Sequence, residues 1–313
     1  MHDASRLADH EIAVAGGGLA GLTAALFSTR QGRSCVLLDP LGMGGALLNT
    51  QQVEDFPGFP EGVAGFDLGP RLQQQVAEAG CVFETAEVSR IEPHGGDWAV
   101  TTDSGKTTAD AVIVATGSRP RRLSVPGEDA LHGKGVSTCA SCDGPLYREQ
   151  LVAVCGGGDS ALIETLELVL LHVRVLLVHP EEVLDGQETY RRRVAESPQV
   201  EIRQRAAVEE ILGDGRVEGI RISDLATGES STVPVAAVFV NVGRLPNTAM
   251  LEGVLALGED GRIPTDIWMR TELPGLFAAG DVRADSAGQA ISAAGDGATA
   301  AVAAHRYLAG RAQ

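Results

Sequence analysis

Positive charge is in short supply. The chain sets 25 Lys and Arg against 42 Asp and Glu, a formal net charge of −17. That balance disfavours a phosphate-backbone partner, so nucleic acid is not an expected ligand. Lysine is nearly missing, represented by Lys106 and Lys134. Beside abundant Ala, Gly and Val, this bias points to a GC-rich coding sequence more than to a mechanism. No apolar run reaches the roughly 18 residues that a membrane-spanning helix needs, so no membrane segment is expected. The opening stretch MHDASRLADHE is polar and has no apolar core of the kind a secretory signal requires. Cysteine is sparse as well. The five residues Cys35, Cys81, Cys139, Cys142 and Cys155 include one close pair. A secreted disulfide framework is excluded by that pattern, and a cytoplasmic protein with one special dithiol fits it.

What is present is a globular composition. Hydrophobic residues make up 44% and charged residues 21% of 313, enough to bury a core and to fill two domains of ordinary size. The first informative segment is EIAVAGGGLAGLTAALFSTRQGRSCVLLD. It reads as a strand from Glu11 to Ala15, a glycine-rich turn, an Ala/Leu-rich helix, and a second strand from Ser34 to Leu38 that ends at Asp39. G-x-G-x-x-G between a strand and a helix, with an acid about 20 residues on, is the dinucleotide fingerprint. Gly16 permits the tight turn, Gly18 lets the backbone approach a pyrophosphate, and Gly21 lets the helix pack closely. Leu19 and Ala20 open the helix whose first amides face that pyrophosphate. Asp39 is placed to accept from ribose hydroxyls.

The arrangement then repeats. A strand from Leu151 to Cys155 leads into Gly156-Gly157-Gly158-Asp159-Ser160-Ala161, a helix to about Leu171, and a strand from Val173 to Val178. Ala161 replaces the third glycine, a permitted variant. Each fingerprint is followed by polar hairpin-like strands and a return strand: Trp98–Thr102 and Thr107–Thr116 in the first half, Val217–Ser223 and Ser231–Val242 in the second. VIVATGSRP and VFVNVGRLP look equivalent. The expected fold is therefore α/β, with two Rossmann-like three-layer (ββα) nucleotide-binding domains. GLFAAGD, ending at Gly280-Asp281, resembles a further strand, and an Ala-rich helix from Gln289 to Leu308 closes the chain. Two dinucleotide folds in one chain point to a flavoprotein that exchanges electrons with a second carrier.

Between the halves lies Cys139-Ala140-Ser141-Cys142-Asp143-Gly144. C-x-x-C brings two sulfurs within disulfide reach and commonly lowers one thiol pKa. A structural zinc would need a second such pair or a Cys/His pair, and the remaining cysteines are scattered; no metal is expected. Cys35 and Cys155 sit in apolar strands and read as buried free thiols. Cys81 follows a helix and has no evident partner.

CASCDGPLYREQLVAVCGGGDSA closely resembles the active-site segment of the low-molecular-weight thioredoxin reductases. EDFPGFPEG, ATGSRPRR, GRLPNT, FAAGDVR and AAGDGATAAVAA resemble that family too, in the same order. The resemblance covers nearly the whole chain. It implies an FAD-binding domain made of residues 1–118 and 250–313, and an NAD(P)H-binding-like domain, residues 119–249, that carries the dithiol. It also implies a homodimer and an enzyme that reduces a thioredoxin-like protein. Carried over residue by residue, Cys142 faces the flavin, Cys139 attacks the substrate disulfide, and Asp143 manages the thiol protons. A turn residue before Gly144 is the structural alternative for Asp143. FAD contacts are implied at Gly16, Gly18, Leu19, Ala20, Gly21, Asp39, Gly45, Ala46, Leu47, Thr50, Asp55, Glu87, Val88, Ala115, Thr116, Gly117, Gly280, Asp281, Gln289 and Ala290.

The second nucleotide site departs from the family. Where a His-Arg-Arg run and a further Arg bind the 2′-phosphate of NADPH, this chain reads His179-Pro180-Glu181-Glu182-Val183-Leu184-Asp185-Gly186-Gln187. Three carboxylates stand in place of cations and repel a 2′-phosphate. Gly156, Gly158, Asp159, Ser160, Ala161 and Glu181 are then the remnant of a nicotinamide site. NADH remains open, with Glu181 on the ribose, as does NADPH held by Arg191-Arg192-Arg193, although a solvated helix face accounts for that run. Near the expected flavin ring, the family's Gly-Gln-Leu is Gly45-Ala46-Leu47, its Asn is Asp55, and its Arg-Gln-Ala is Gly288-Gln289-Ala290. Remodelling on the donor side beside an intact dithiol leaves further readings open. One is a ferredoxin-type donor docking near Arg119, Arg121 and Arg122. Another is an oxygen-using oxidase that closes a dithiol in a small molecule or peptide; a third is a flavin-bound redox sensor. Cys-Asp-Gly after the first cysteine favours the reductase direction, since dithiol oxidases on this scaffold often carry His there.

Overall fold

The computed structural model describes residues 9–311, so most of the polar opening stretch lies outside the described residues. Among these, no helix is long and apolar enough to cross a membrane. The chain divides into two compact units. One runs to Arg119 and resumes at Leu245, and the other is Pro120–Arg244.

The first unit is built on a seven-stranded sheet. Its centre is His10–Ala15, which pairs in parallel with Cys35–Leu38 on one side and Lys106–Val114 on the other. Alternation along the central strand decides the layering. Ile12 and Val14 enter one apolar cluster with the helices Leu19–Arg30 and Ala290–Arg311, while Ala13 and Ala15 enter a second one with Trp98 and Val100. A strand covered on both faces reads as a continuous apolar run, which is why HEIAVA carries so little polarity at its centre. Lys106–Val114 has a divided outer edge. Its first residues pair antiparallel with Asp97–Thr102, and its last pair in parallel with Leu276–Ala278.

The second unit repeats the plan. A five-stranded parallel sheet has the order Val200–Arg203, Arg174–Val178, Leu151–Cys155, Val238–Val240, Val136–Ser137. A three-stranded antiparallel sheet formed by Ala206–Leu212, Gly219–Asp224 and Ser230–Val233 covers one face. The helices Asp159–Leu170 and Glu188–Glu196 cover the other.

One expectation needs correction. The return strand Ser231–Val242 is not continuous: Ser230–Val233 belongs to the antiparallel sheet, and Val238–Val240 belongs to the parallel one. Pro234 follows the first piece and has no N–H for a ladder, so the chain leaves one sheet before joining the other. In the first unit the equivalent segment has no proline, and Lys106–Val114 serves both layers as one strand. The polar hairpins also each carry a strand that the sequence reading left unassigned, Val88–His94 and Ala206–Leu212.

Candidate functional site

At the first fingerprint the three glycines have three separate physical reasons. Gly16 has φ +106°, and a Cβ there would stand 2.3 Å from the Ala115 carbonyl oxygen. Only glycine fits where that turn passes the end of the return strand. At Gly21 a Cβ would stand 1.8 Å from the Gly16 carbonyl oxygen, so helix and turn touch. Gly18 is different. It caps the helix in an extended conformation, and a Cβ added there would meet nothing within 4 Å. Space therefore opens over backbone at a helix N-terminus, as a bound pyrophosphate requires. This is the fit expected of FAD.

Several of the other expected flavin contacts lie beside this turn. Asp39 accepts from Gly17 N–H at 2.7 Å with one oxygen and from Leu41 N–H at 2.9 Å with the other. Its carboxylate thus also braces the glycine turn, a task that the ribose assignment alone did not anticipate. Ala86 N–H donates to the Asp39 carbonyl, bringing Glu87 and Val88 near, and Glu87 N–H donates to Asp103. Gly44 N–H donates to the Gly17 carbonyl, and a Cβ on Gly45 would stand 2.9 Å from Gly18 Cα. The 3-10 turn Gly45–Asn49 carries Ala46 and Leu47, and the Thr50 hydroxyl donates back to Ala46 O. Asp55 lies exposed on the loop that the Val53–Val63 pairing closes.

Ala115 is buried at the end of the return strand, and the Thr116 hydroxyl donates to Asn247 O while Asn247 donates to Thr116 O. Asn247 N–H reaches Gly117 O. Gly280, at φ +76°, packs on Ala20 and donates its N–H to Asp296. Asp281 follows it, accepting from the Ser286 hydroxyl, and Gln289 and Ala290 lead into the last helix. Asp296 was missed by the sequence reading. It is buried, bonded to Arg283 at 2.6 and 3.0 Å, and its only outward sign is a carboxylate inside an Ala-rich helix.

The second fingerprint copies the first in its backbone. Gly156 has φ +135°, and a Cβ there would stand 2.1 Å from Asn241 O. Gly157 O accepts from the N–H groups of Asp185 and Gly186, as Gly17 O accepts from Gly44. Side chains break the likeness. Where Gly18 faces open space, Gly158 faces Asp185, with both carboxylate oxygens 3.8 Å from its Cβ position. His179 is buried where the first unit has Asp39, and its Nε2 is 3.1 Å from Val183 O. Asp159 accepts from the Gln187 backbone and side chain, Ser160 is exposed, and Ala161 is buried. Glu181 is exposed and takes the Arg205 N–H on its carbonyl; Glu182 pairs with Arg205 at 2.6 Å.

Two members of the arginine run are engaged within their own helix and the loop before it. Arg191 is bonded to Leu184 O and Glu188, Arg193 lies over the Tyr190 ring, and Arg192 is exposed. Of the three arginines considered for a docking patch, Arg119 reaches Asn247 Oδ1 and Arg122 is paired with Asp129. Arg121 donates its backbone N–H to Gly243 O.

Cys139 and Cys142 form a disulfide, with Cα atoms 5.4 Å apart, across the short helix Ala140–Asp143. Cys139 caps that helix. Its Sγ accepts from Cys142 N–H at 3.3 Å and lies 3.3 Å from the Ser141 hydroxyl. Once the disulfide is opened, both groups favour negative charge on Cys139. Asp143 donates its N–H to Cys139 O, which keeps it beside the pair. Its charge, together with burial as the larger cause, raises the Tyr147 hydroxyl above its ordinary range. Cys35, Cys81 and Cys155 are free and buried. Burial pushes the Cys155 thiol up to about 12, so it is inert beside the pair. No metal-holding cluster occurs among the described residues.

The chain matches the model of the pyridine nucleotide-disulphide oxidoreductase family over residues 10–300. It is 36% identical over 300 residues to a thioredoxin reductase of Treponema pallidum, covering 96% of this chain and 97% of that one. The solved thioredoxin reductase of Lactococcus lactis superposes with a TM-score of 0.94 at 32% identity, over 96% of this chain and all (100%) of the other. A ferredoxin-flavin thioredoxin reductase of Clostridium acetobutylicum is similar at 25% identity and a TM-score of 0.54, over 97% and 98% of the two chains. Matches of this extent place the protein in the pyridine nucleotide-disulphide oxidoreductase family, among the FAD-dependent disulfide oxidoreductases of the thioredoxin reductase type.

Proposed function

We propose that the chain reduces the disulfide of a thioredoxin-like protein through Cys139 and Cys142, and that its flavin takes electrons from a donor other than NADPH. The first part rests on the intact Cys139–Cys142–Asp143 turn. FAD, when bound, supplies the electron pair that opens the disulfide. The unit with the first fingerprint would hold it, with Gly16, Gly18 and Gly21 at the pyrophosphate and Asp39, Gly45, Thr116, Gly280 and Gln289 as further contacts. The rest is done by the chain's own side chains. Opening the Sγ–Sγ bond leaves Cys139 stabilised as a thiolate by the Cys142 N–H. That thiolate attacks one sulfur of the substrate disulfide and displaces the other, and Cys142 then attacks the mixed disulfide to release the dithiol. Asp143 takes up and returns the thiol protons.

One observation carries the second part: Glu181 stands exposed on the loop after the second strand, where a 2′-phosphate needs a cation, and Asp185 beside Gly158 adds a charge that opposes the pyrophosphate of either nicotinamide cofactor. A like-charge pair at about 4 Å costs about 1 kcal/mol in bulk water and about 4 kcal/mol at the effective dielectric near a protein surface. Glu181 stands at this wall, and Arg205 beside it is already engaged by Glu182, so a 2′-phosphate meets a carboxylate where it needs a free cation. A ferredoxin-type donor is the second reading, favoured by the likeness to a ferredoxin-flavin thioredoxin reductase.

An anaerobic flavin spectrum during titration with NADPH, then NADH, then reduced ferredoxin, then dithionite tests the donor. The expected result is no bleaching by micromolar NADPH. Bleaching at that level overturns the proposal about the donor. Bleaching by NADH alone assigns Glu181 to the ribose, and bleaching by reduced ferredoxin assigns that carrier.

A further inference from the structure

One half-buried ionisable group in the second unit has no part in the chemistry above. Glu164 lies half-buried on the fingerprint helix Asp159–Leu170, on the side that meets the dithiol turn. Asn241 Nδ2 donates to its Oε2 at 2.7 Å, and the backbone N–H of Ala140 donates to the same carboxylate. Ala140 is fully buried and stands between Cys139 and Ser141. Asn241 follows the strand Val238–Val240, whose N–H and C=O groups meet Cys155 and the Gly156 turn. A single side chain thus joins the helix, the end of the strand Val238–Val240 and the peptide linking Cys139 to its turn.

We propose that Glu164 is a positioning residue of the dithiol: it fixes the Ala140 peptide, and its charge controls how readily Cys139 loses its proton. Withdrawing a carboxylate from water is costly, and its two hydrogen bonds offset that cost while tying it to the turn. Charge control follows from the connection, since the Ala140 nitrogen is bonded directly to the Cys139 carbonyl carbon. When Glu164 is ionised, a thiolate on Cys139 forms beside a like charge and its pKa rises. When Glu164 is protonated, that opposition vanishes and the Cys142 N–H and Ser141 hydroxyl act alone.

The groups that surround Glu164 set where the change occurs. Burial is the largest influence and raises its pKa, and Glu167 on the same helix raises it further. The Asn241 amide, the Ala140 N–H and the Arg244 charge lower it. Asp143 is the other titratable group on the dithiol turn. The outcome is a carboxyl pushed up to about 7, so that the switch falls in the range where thiol exchange is measured.

The inference rests on the dithiol being the redox centre, but its test needs no electron donor. The FAD-loaded protein is reduced with dithiothreitol and desalted anaerobically. Iodoacetamide labelling of Cys139 is then followed by peptide mass from pH 5.5 to 9. The native rate profile should show two steps, one of them near pH 7. Glu164→Gln should remove that step and speed labelling above pH 7 by about tenfold, the effect of one pKa unit. Asn241→Leu, which removes a donor to the ionised carboxylate, should move the step to higher pH. Profiles that superpose on the native one would overturn the proposal, and if Glu164→Gln does not fold, Asn241→Leu decides alone. Failure to reduce any thioredoxin-like protein would instead overturn the functional proposal and leave these labelling profiles unaffected.

Discussion

Gly18→Ala and Gly21→Ala separate the two requirements that a dinucleotide turn combines. At Gly18 the backbone has φ −72° and ψ −175°, open to any residue, and a Cβ meets nothing within 4 Å. Alanine reduces the freedom of the unfolded chain, a gain of about 0.4–1 kcal/mol, and loses a comparable amount as a poorer N-cap than glycine. The apoprotein should therefore unfold in urea within about 1 kcal/mol of native. Flavin binding should not survive as well. The new methyl fills the space that the pyrophosphate needs, and a loss of at least about tenfold in affinity, 1.4 kcal/mol, is expected. Gly21→Ala inverts the pattern. Its Cβ falls 1.8 Å from the Gly16 carbonyl oxygen, so the helix must move by more than an ångström. Such overpacking costs about 3 kcal/mol or more, and the apoprotein itself should be destabilised. Urea unfolding of apoprotein together with fluorescence titration of added FAD reads both quantities. Native flavin affinity in Gly18→Ala would show that the pyrophosphate does not cross Gly18. Native stability in Gly21→Ala would refute the close packing of helix on turn.

Asp296→Ala removes one partner of a buried ion pair and the acceptor of Gly280 N–H; it should cost about 3–5 kcal/mol, read from urea midpoints. A midpoint unchanged from native would show that the pair adds nothing. Cys142→Ser should keep bound flavin but lose turnover with disulfide substrates, and full activity there would sink the dithiol mechanism. Glu164→Gln also has a pH signature in stability. The Glu164 carboxyl goes from its ordinary 4.5 up to about 7 on folding, so its favourable contribution is complete below pH 4.5 and is lost as pH rises through 7. Relative to native, the Gln variant should gain up to about 3 kcal/mol between pH 4.5 and 8. A constant difference over that range would show that Glu164 does not titrate there.

Much of this was legible in the residues because backbone requirements leave plain marks. Glycine at Gly16 and Gly21 is dictated by carbonyl oxygens closer than any Cβ allows, and the spacing of such glycines is visible in a sequence. The apolar runs of the central strands were equally plain, because both faces are covered. Partners contributed from far along the chain were not. Asp296 lies more than 250 residues beyond the fingerprint helix it packs beside, and nothing local shows that it accepts from Gly280. Glu164 reads as an ordinary polar position on a helix until Ala140 and Asn241 are folded against it. The broken return strand turns on Pro234, a signal that was present but was outweighed by the likeness of VFVNVGRLP to VIVATGSRP.

The two fingerprints together show which part of such a site selects its ligand. Backbone geometry is nearly the same in both, with a left-handed glycine against the return strand and a middle carbonyl held by the loop after the second strand. Binding chemistry cannot then be assigned from the glycines alone. What differs is the first side chain on that returning loop. Gly44 presents none, and the space over Gly18 stays open; Asp185 presents a carboxylate to Gly158. Hydrogen bonds from Asp185 and Gly186 N–H to Gly157 fix the loop in place, so the carboxylate is held there by backbone bonds rather than by a flexible surface contact. Substituting Asp185→Arg and Glu181→Arg keeps those backbone bonds and reverses the wall's charge. If side chains decide the ligand, flavin reduction by NADPH should rise by tenfold or more, roughly the 1.4 kcal/mol that removal of one screened repulsion supplies. An unchanged rate would place the selection elsewhere, in the residues around the flavin ring.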